Sequence, residues 1–186
     1  MQDPFEIVPF AAELVVKTSR ACQIKYTITG EHPVTKISPS FKKETVMLVL
    51  ELYGGIENLV VVQLTDTDGN IEKDTVFIET SPNPLLLPNV EIVTIDTDKK
   101  EASFTFAMYE VISAGSHSFP FIMDDAGKIR WYMNLKHVEN LASPGEFLDN
   151  GNLIFAFGGF ICEFSLMSKE VSRFSILGYA QHHDIF

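Results

Sequence analysis

The chain has 186 residues, 46% of them hydrophobic and 21% charged, enough to bury the core of one large domain or two small ones and unlike a disordered protein. Its net charge is −11, with 12 acidic and 7 basic residues in positions 1–88 and 13 and 7 in positions 89–186. No Lys/Arg stripe stands out in either half, so nucleic acid is not an expected partner, and no run reaches the roughly 18 consecutive apolar residues of a membrane helix.

At the N-terminus, Met1-Gln-Asp-Pro4 has neither a basic region nor an apolar core. The expectation is that no signal peptide is present, so that either the protein is cytoplasmic or a leader has been removed. Short strand-sized runs follow at Ala12 to Thr18, Cys22 to Thr29, Thr45 to Leu52 and Leu59 to Thr65. Lys25, Thr27 and Thr29 alternate with Ile24, Tyr26 and Ile28, the period-2 pattern of a sheet with one wet face. Asp66-Thr-Asp-Gly-Asn70 is a hairpin turn in which Gly69 or Asn70 takes the positive-φ position, and Asp74 to Thr80 is the returning strand. Seven or so short strands in residues 1–80 predict an antiparallel sandwich of the immunoglobulin or fibronectin type.

Prolines 82, 84 and 88 forbid a central strand or a helix, so residues 81–88 are read as a linker. Beyond it, Phe119 to Met123 and Lys128 to Asn134 flank Asp124-Asp-Ala-Gly127. Glu146 to Leu148 and Leu153 to Phe157 flank Asp149-Asn-Gly-Asn152. Ile161 to Leu166 and Val171 to Ile176 form a hairpin around Met167-Ser-Lys-Glu170. A shift of 42 residues lays Ile122 on Phe164, Ile129 on Val171 and Tyr132 on Phe174. Four strands per 40–45 residues is the period of propeller blades. Residues 145–176 are then one blade, 119–135 the outer hairpin of the one before, and 89–186 the start of a β-propeller. The expected fold class is all-β, a sandwich followed by an incomplete propeller.

Several of these pieces together resemble the bacterial arylsulfate sulfotransferase family. They are Asp3-Pro-Phe-x-Ile-x-Pro9, Leu50-Glu-Leu-Tyr-Gly-Gly-x-Glu-Asn58, Thr65-Asp-x-Asp-Gly-Asn70, Asp125-x-Gly-x-x-Arg-Trp-Tyr132, Leu148-Asp-Asn-Gly-Asn152 and Gly178-Tyr-x-x-His-His-Asp-Ile185. The Arg-Trp-Tyr and His-His-Asp-Ile pieces are the more specific. The resemblance implies an immunoglobulin-like N-terminal domain, a six-bladed propeller and a periplasmic, cell-envelope or secreted location. The activity it implies is transfer of a sulfuryl group from a phenolic sulfate donor to a phenol acceptor through a sulfated histidine. It implies no cofactor and no metal. Imidazole suits such chemistry as a nucleophile whose charge changes near neutral pH. No His or Arg follows His183, so the nucleophile is expected outside this sequence. This chain alone is expected to be inactive.

His182 and His183 are the substrate-binding candidates. Adjacent strand residues face opposite ways, so one of them at most faces a central channel. Asp184 either orients a histidine or caps a turn. Trp131 and Tyr132 are better read as core than as a platform for an aryl ring, and Gly158-Gly159 as a tight strand connection. His32, His117 and His137 are expected in solvated loops, Asp124 and Asp125 in a turn, and Cys22 and Cys162 as buried free thiols. A homo-oligomer is expected, because Phe119, Phe121, Trp131, Phe155, Phe157 and Phe174 exceed what two blades cover. The rival reading is a non-catalytic surface module that binds a protein or glycan.

Overall fold

A computed structural model describes residues 8–83, 87–100, 104–111, 117–135, 145–157 and 159–175. These residues form twelve β-strands in three antiparallel sheets and contain no helix. The chain divides into two compact units at Asn83/Pro84, within the proline-rich stretch.

The first unit is built on one long strand, β1 (Ala12–Ile28), which joins the two runs read separately from the sequence. It pairs with β2 (Val34–Ile37), β3 (Lys42–Val49) and β4 (Glu57–Asp66), and β5 (Ile71–Glu79) completes the sheet on β4. That makes five strands where about seven were expected. The long strand accounts for part of the difference, because β conformation continues through Ser19-Arg20-Ala21 although the ladder to β3 breaks between Lys17 and Cys22.

That break is also a bend. The Tyr26 hydroxyl donates to the Leu48 carbonyl at 2.7 Å, and Leu48 is the cross-strand partner of Glu13. On a straight strand Glu13 and Tyr26 would stand roughly 40 Å apart, so β1 must fold back to bring its halves within a tyrosine's reach. Cys22, Ile24, Tyr26 and Ile28 are buried together with Val60 and Val62 of β4. The intervening Lys25 and Thr27 stay outside the core, as the period-2 pattern requires. Desolvation in that core, followed by the charge of Glu51, pushes the Tyr26 phenol up to about 12.

The Leu50–Asn58 element comprises the folded loop between β3 and β4 and the first two residues of β4. Asn58 is buried; its Oδ1 accepts the Tyr53 N–H at 2.8 Å and its Nδ2 donates to the Tyr53 carbonyl at 2.9 Å. Gly54 packs against the Phe10 ring so closely that a Cβ there would collide with it. This explains why a Tyr-Gly-Gly-x-x-Asn string sits at that place: its amide braces the loop and its glycine admits an aromatic ring.

The second unit contains two antiparallel meanders. One is β6 (Phe104–Val111), β7 (His117–Asp124) and β8 (Ile129–Tyr132), in the order β6-β7-β8. The other is β9 (Glu146–Phe147), β10 (Leu153–Phe157), β11 (Phe160–Phe164) and β12 (Glu170–Ser175), four strands in sequential order within residues 145–176. Phe147 of β9 meets Phe104 and Phe106 of β6 edge-on, at centroid distances of 6.0 and 5.2 Å. Phe119, Phe121, Trp131 and Phe155 are buried within this unit, so they do not supply the exposed apolar surface expected of them. Phe174, at 60% exposure, does.

One turn geometry recurs in both units. At Asp66–Asn70, Asp124–Lys128, Leu148–Asn152 and Ser165–Lys169 the first residue's N–H donates to the fifth residue's carbonyl. The fourth residue's N–H donates back to the first carbonyl, at 2.8–3.1 Å throughout. The fourth residue has positive φ in every case: Gly69 (84°), Gly127 (73°), Gly151 (81°) and Ser168 (61°). This is the three-residue hairpin loop closed by a left-handed residue. It aligns Asp124 with Ser165, so the internal repeat runs at 41 residues and not 42. The last of these turns spans Ser165–Lys169, and Glu170 already belongs to β12.

Candidate functional site

The Asp124–Tyr132 hairpin carries one of the two more specific pieces of the resemblance, and its side chains interlock. Asp124 Oδ1 accepts the N–H groups of Ala126 and Lys128, both at 3.0 Å, which rigidifies the turn. Its other oxygen accepts from Arg130 Nη1, also at 3.0 Å. All four residues of β8 are buried, so the Arg130 guanidinium is held inside the unit and must be compensated there. Beside it, Asp125 pairs with Lys100. Trp131 donates its indole N–H to the Leu166 carbonyl at 2.9 Å, tying β8 to the β11–β12 turn.

Chemically, this makes the Arg-Trp-Tyr string a clamp and not a reactive centre. Arg130 has a carboxylate partner, and Trp131 and Tyr132 lie in the core as the sequence reading favoured. The sequence reading gave Arg130 no role of its own. The signal was available in a charged residue flanked by Ile129 and Trp131, which must be buried with a partner if that strand is core.

A second polar cluster sits on the four-stranded meander. The Glu163 carboxylate accepts from Asn152 Nδ2 at 2.6 Å, Asn150 Nδ2 at 3.0 Å and Ser172 Oγ at 3.3 Å. The two amides, led by Asn152, hold the Glu163 carboxyl below the usual carboxylate range. In the first unit a cleft of about 500 Å3 opens where β1 leaves β3, lined by Thr18, Arg20, Cys22, Asp66, Asn70 and Glu72. Arg20 lies 3.7 Å from Asp66 there. No group of three or more His, Cys, Asp or Glu side chains among the described residues is arranged to hold a metal ion.

Cys22 and Cys162 are buried free thiols, and burial pushes the Cys162 thiol up. His32, expected in solvent, is half-buried, and its backbone is pinned by the Tyr53 hydroxyl through bonds of 2.8 and 3.0 Å. His117 begins β7 opposite Val111. His137, Gly158, His182, His183 and Asp184 lie outside the described residues. No described helix is long and apolar enough to cross a membrane.

An all-β chain whose buried Arg-Trp clamp braces a pair of antiparallel meanders is the setting in which the comparison with known families falls. Residues 67–186, most of the chain, match the arylsulfotransferase (ASST) family, and the protein belongs to that family. The match begins inside the β4–β5 turn and extends through His182 and His183. No curated protein matches the chain.

Proposed function

We propose that the protein serves sulfuryl transfer from a phenolic sulfate ester to a phenol. The single observation that supports this most is the family match across residues 67–186. In this reading an imidazole nitrogen attacks the sulfur of the donor, the S–O bond to the aryl group breaks, and the phenol leaves with a proton. The acceptor phenol then gives up its proton, which balances the one taken by the departing phenol, its oxygen attacks the same sulfur, and the N–S bond breaks, returning the imidazole. His182 and His183 contribute one substrate contact between them, and the attacking imidazole is a different histidine. Arg130 is not the group that stabilises the transferring anion, since Asp124 already engages it at 3.0 Å.

The same reading makes the first unit an immunoglobulin-like sandwich, with the fold-back of β1 in support. The two meanders become successive propeller blades, and the location periplasmic or cell-envelope. Self-association belongs to it as well, with Phe174 as one of the exposed apolar side chains.

The test is acceptor-dependent release of 4-nitrophenol from 4-nitrophenyl sulfate by protein expressed from the complete reading frame. Parallel double-reciprocal lines are expected, and one of His182→Ala and His183→Ala is expected to raise KM for the donor while the other changes little. Release that ignores the acceptor, or silence of both substitutions, would overturn the proposal.

A further inference from the structure

Asn150-Gly151 is the dipeptide type in which an asparagine side chain is most readily lost as ammonia. Glycine leaves its own backbone nitrogen free to reach the side-chain carbonyl carbon, and asparagine is thermolabile for this reason. In this protein the dipeptide is held away from that reaction at every atom that takes part. The Gly151 N–H donates to the Leu148 carbonyl at 2.8 Å. Asn150 Oδ1 accepts the Asn152 N–H at 2.9 Å. Asn150 Nδ2 donates to Glu163 Oε1 at 3.0 Å. The attacking nitrogen keeps its proton in a hydrogen bond, and the amide it must attack is pinned at both ends.

We propose that Asn150 is a covalent modification site gated by opening of the β9–β10 hairpin, and that the modification prevents the hairpin from closing again. Once the turn opens, the Gly151 nitrogen loses its proton to hydroxide and attacks Asn150 Cγ. A C–N bond forms to give a succinimide, and the side-chain nitrogen leaves as ammonia. Water then opens the ring to aspartate or isoaspartate. No electron changes hands, and water is the only co-reactant.

The product cannot restore the cluster. A carboxylate at position 150 has no proton to donate, and it meets the Glu163 carboxylate, which still accepts from the Asn152 amide at 2.6 Å. The isoaspartate form also lengthens the backbone of a turn whose two hydrogen bonds leave no spare atom.

Two measurements decide this. The native chain, the chain unfolded in urea, and a peptide spanning residues 146–155 are incubated at mildly alkaline pH, and isoaspartate is counted by enzymatic methylation and peptide mass. The native chain should lag both others by roughly tenfold or more, since only the open fraction reacts. Equal rates overturn the gating. The second measurement compares Asn150→Asp, Glu163→Gln and the double variant by denaturant midpoint. Asn150→Asp should lower the midpoint, and the double variant, in which the glutamine donates to the new aspartate, should recover it. No recovery, or no loss in the first place, overturns the proposed block to closing.

Discussion

Two aspartates, one in each unit, perform the same local task and end in different surroundings. Asp66 and Asp124 both open the recurrent turn, and each uses Oδ1 to accept the N–H groups two and four residues on, at 2.9–3.0 Å. Both side chains are 12% exposed. The second oxygen separates them. Asp66 Oδ2 accepts from the Asn70 amide at 2.9 Å and has Arg20, 72% exposed, at 3.7 Å. Asp124 Oδ2 holds Arg130, whose side chain is 2% exposed. The turn is thus a local product of the Asp-x-x-Gly string, whereas what the spare oxygen is worth is set by how deeply the next strand is buried.

The largest consequence is for stability. Asp124→Ala leaves a buried guanidinium without its carboxylate and should cost roughly 3–5 kcal/mol. Asp66→Ala exposes no buried charge and should cost much less. Circular dichroism in guanidinium titrations reads both units, while the fluorescence of Trp131, the chain's single tryptophan, follows the second unit in which it lies. Equal shifts of midpoint for the two variants would remove the distinction between the turns.

Next in size, Trp131→Phe keeps most of the ring but removes the donor to Leu166, leaving a carbonyl without its 2.9 Å partner. About 1–2 kcal/mol should be lost, read by circular dichroism because the fluorophore is gone. An unchanged midpoint would show that the clamp between β8 and the β11–β12 turn is packing alone.

The fourth turn position sharpens the comparison within the second unit. Ser168 sits at φ 61° where the other turns carry glycine, so Ser168→Gly should stabilise by about 1 kcal/mol. Gly127→Ala should do the reverse, since φ is 73° and the added Cβ would meet the Val90 carbonyl at 3.2 Å. Thermal unfolding of both variants is enough, and a shift of the same sign in both would contradict the backbone account.

These contrasts also mark what the sequence could reveal. The turns at Asp66, Asp124 and Asp149-Asn-Gly were legible because aspartate, asparagine and glycine act within five residues. The Ser165 turn was misplaced because a serine occupies the left-handed position that glycine usually advertises. β2 and β6 were not anticipated. β2 is four residues between Pro33 and Pro39, and β6 has no Asp-Gly or Asn-Gly turn at either end. The bend in β1 was invisible because its evidence is a hydrogen bond between residues 22 positions apart. His182 and His183 came from the family string and not from any pattern of charge or period, and the described residues contain neither.

The smallest effect is acid sensitivity in the first unit. The Asn70 side-chain amide, then the Asn70 backbone N–H, hold the Asp66 carboxyl below its ordinary value of 3.8. A carboxyl whose folded value lies below its unfolded one contributes stability that is complete above the unfolded value and disappears as pH falls through the folded value. The loss therefore lies below about pH 4, and no change traceable to Asp66 is expected between neutrality and pH 5. Asp66→Asn keeps an oxygen for the Asp68 and Asn70 N–H groups but removes the titration and the bond from the Asn70 amide. Stability measured from pH 7 to pH 3 by urea titration, with exchange of the β4 and β5 backbone amides reporting the first unit, should show the variant below the native chain at pH 7. The two curves should converge in acid. Because Glu163 is depressed in the same direction in the second unit, Trp131 fluorescence should retain its acid slope in the variant. Parallel curves for the β4 and β5 amides down to pH 3 would show that the Asp66 charge contributes nothing to the turn it caps.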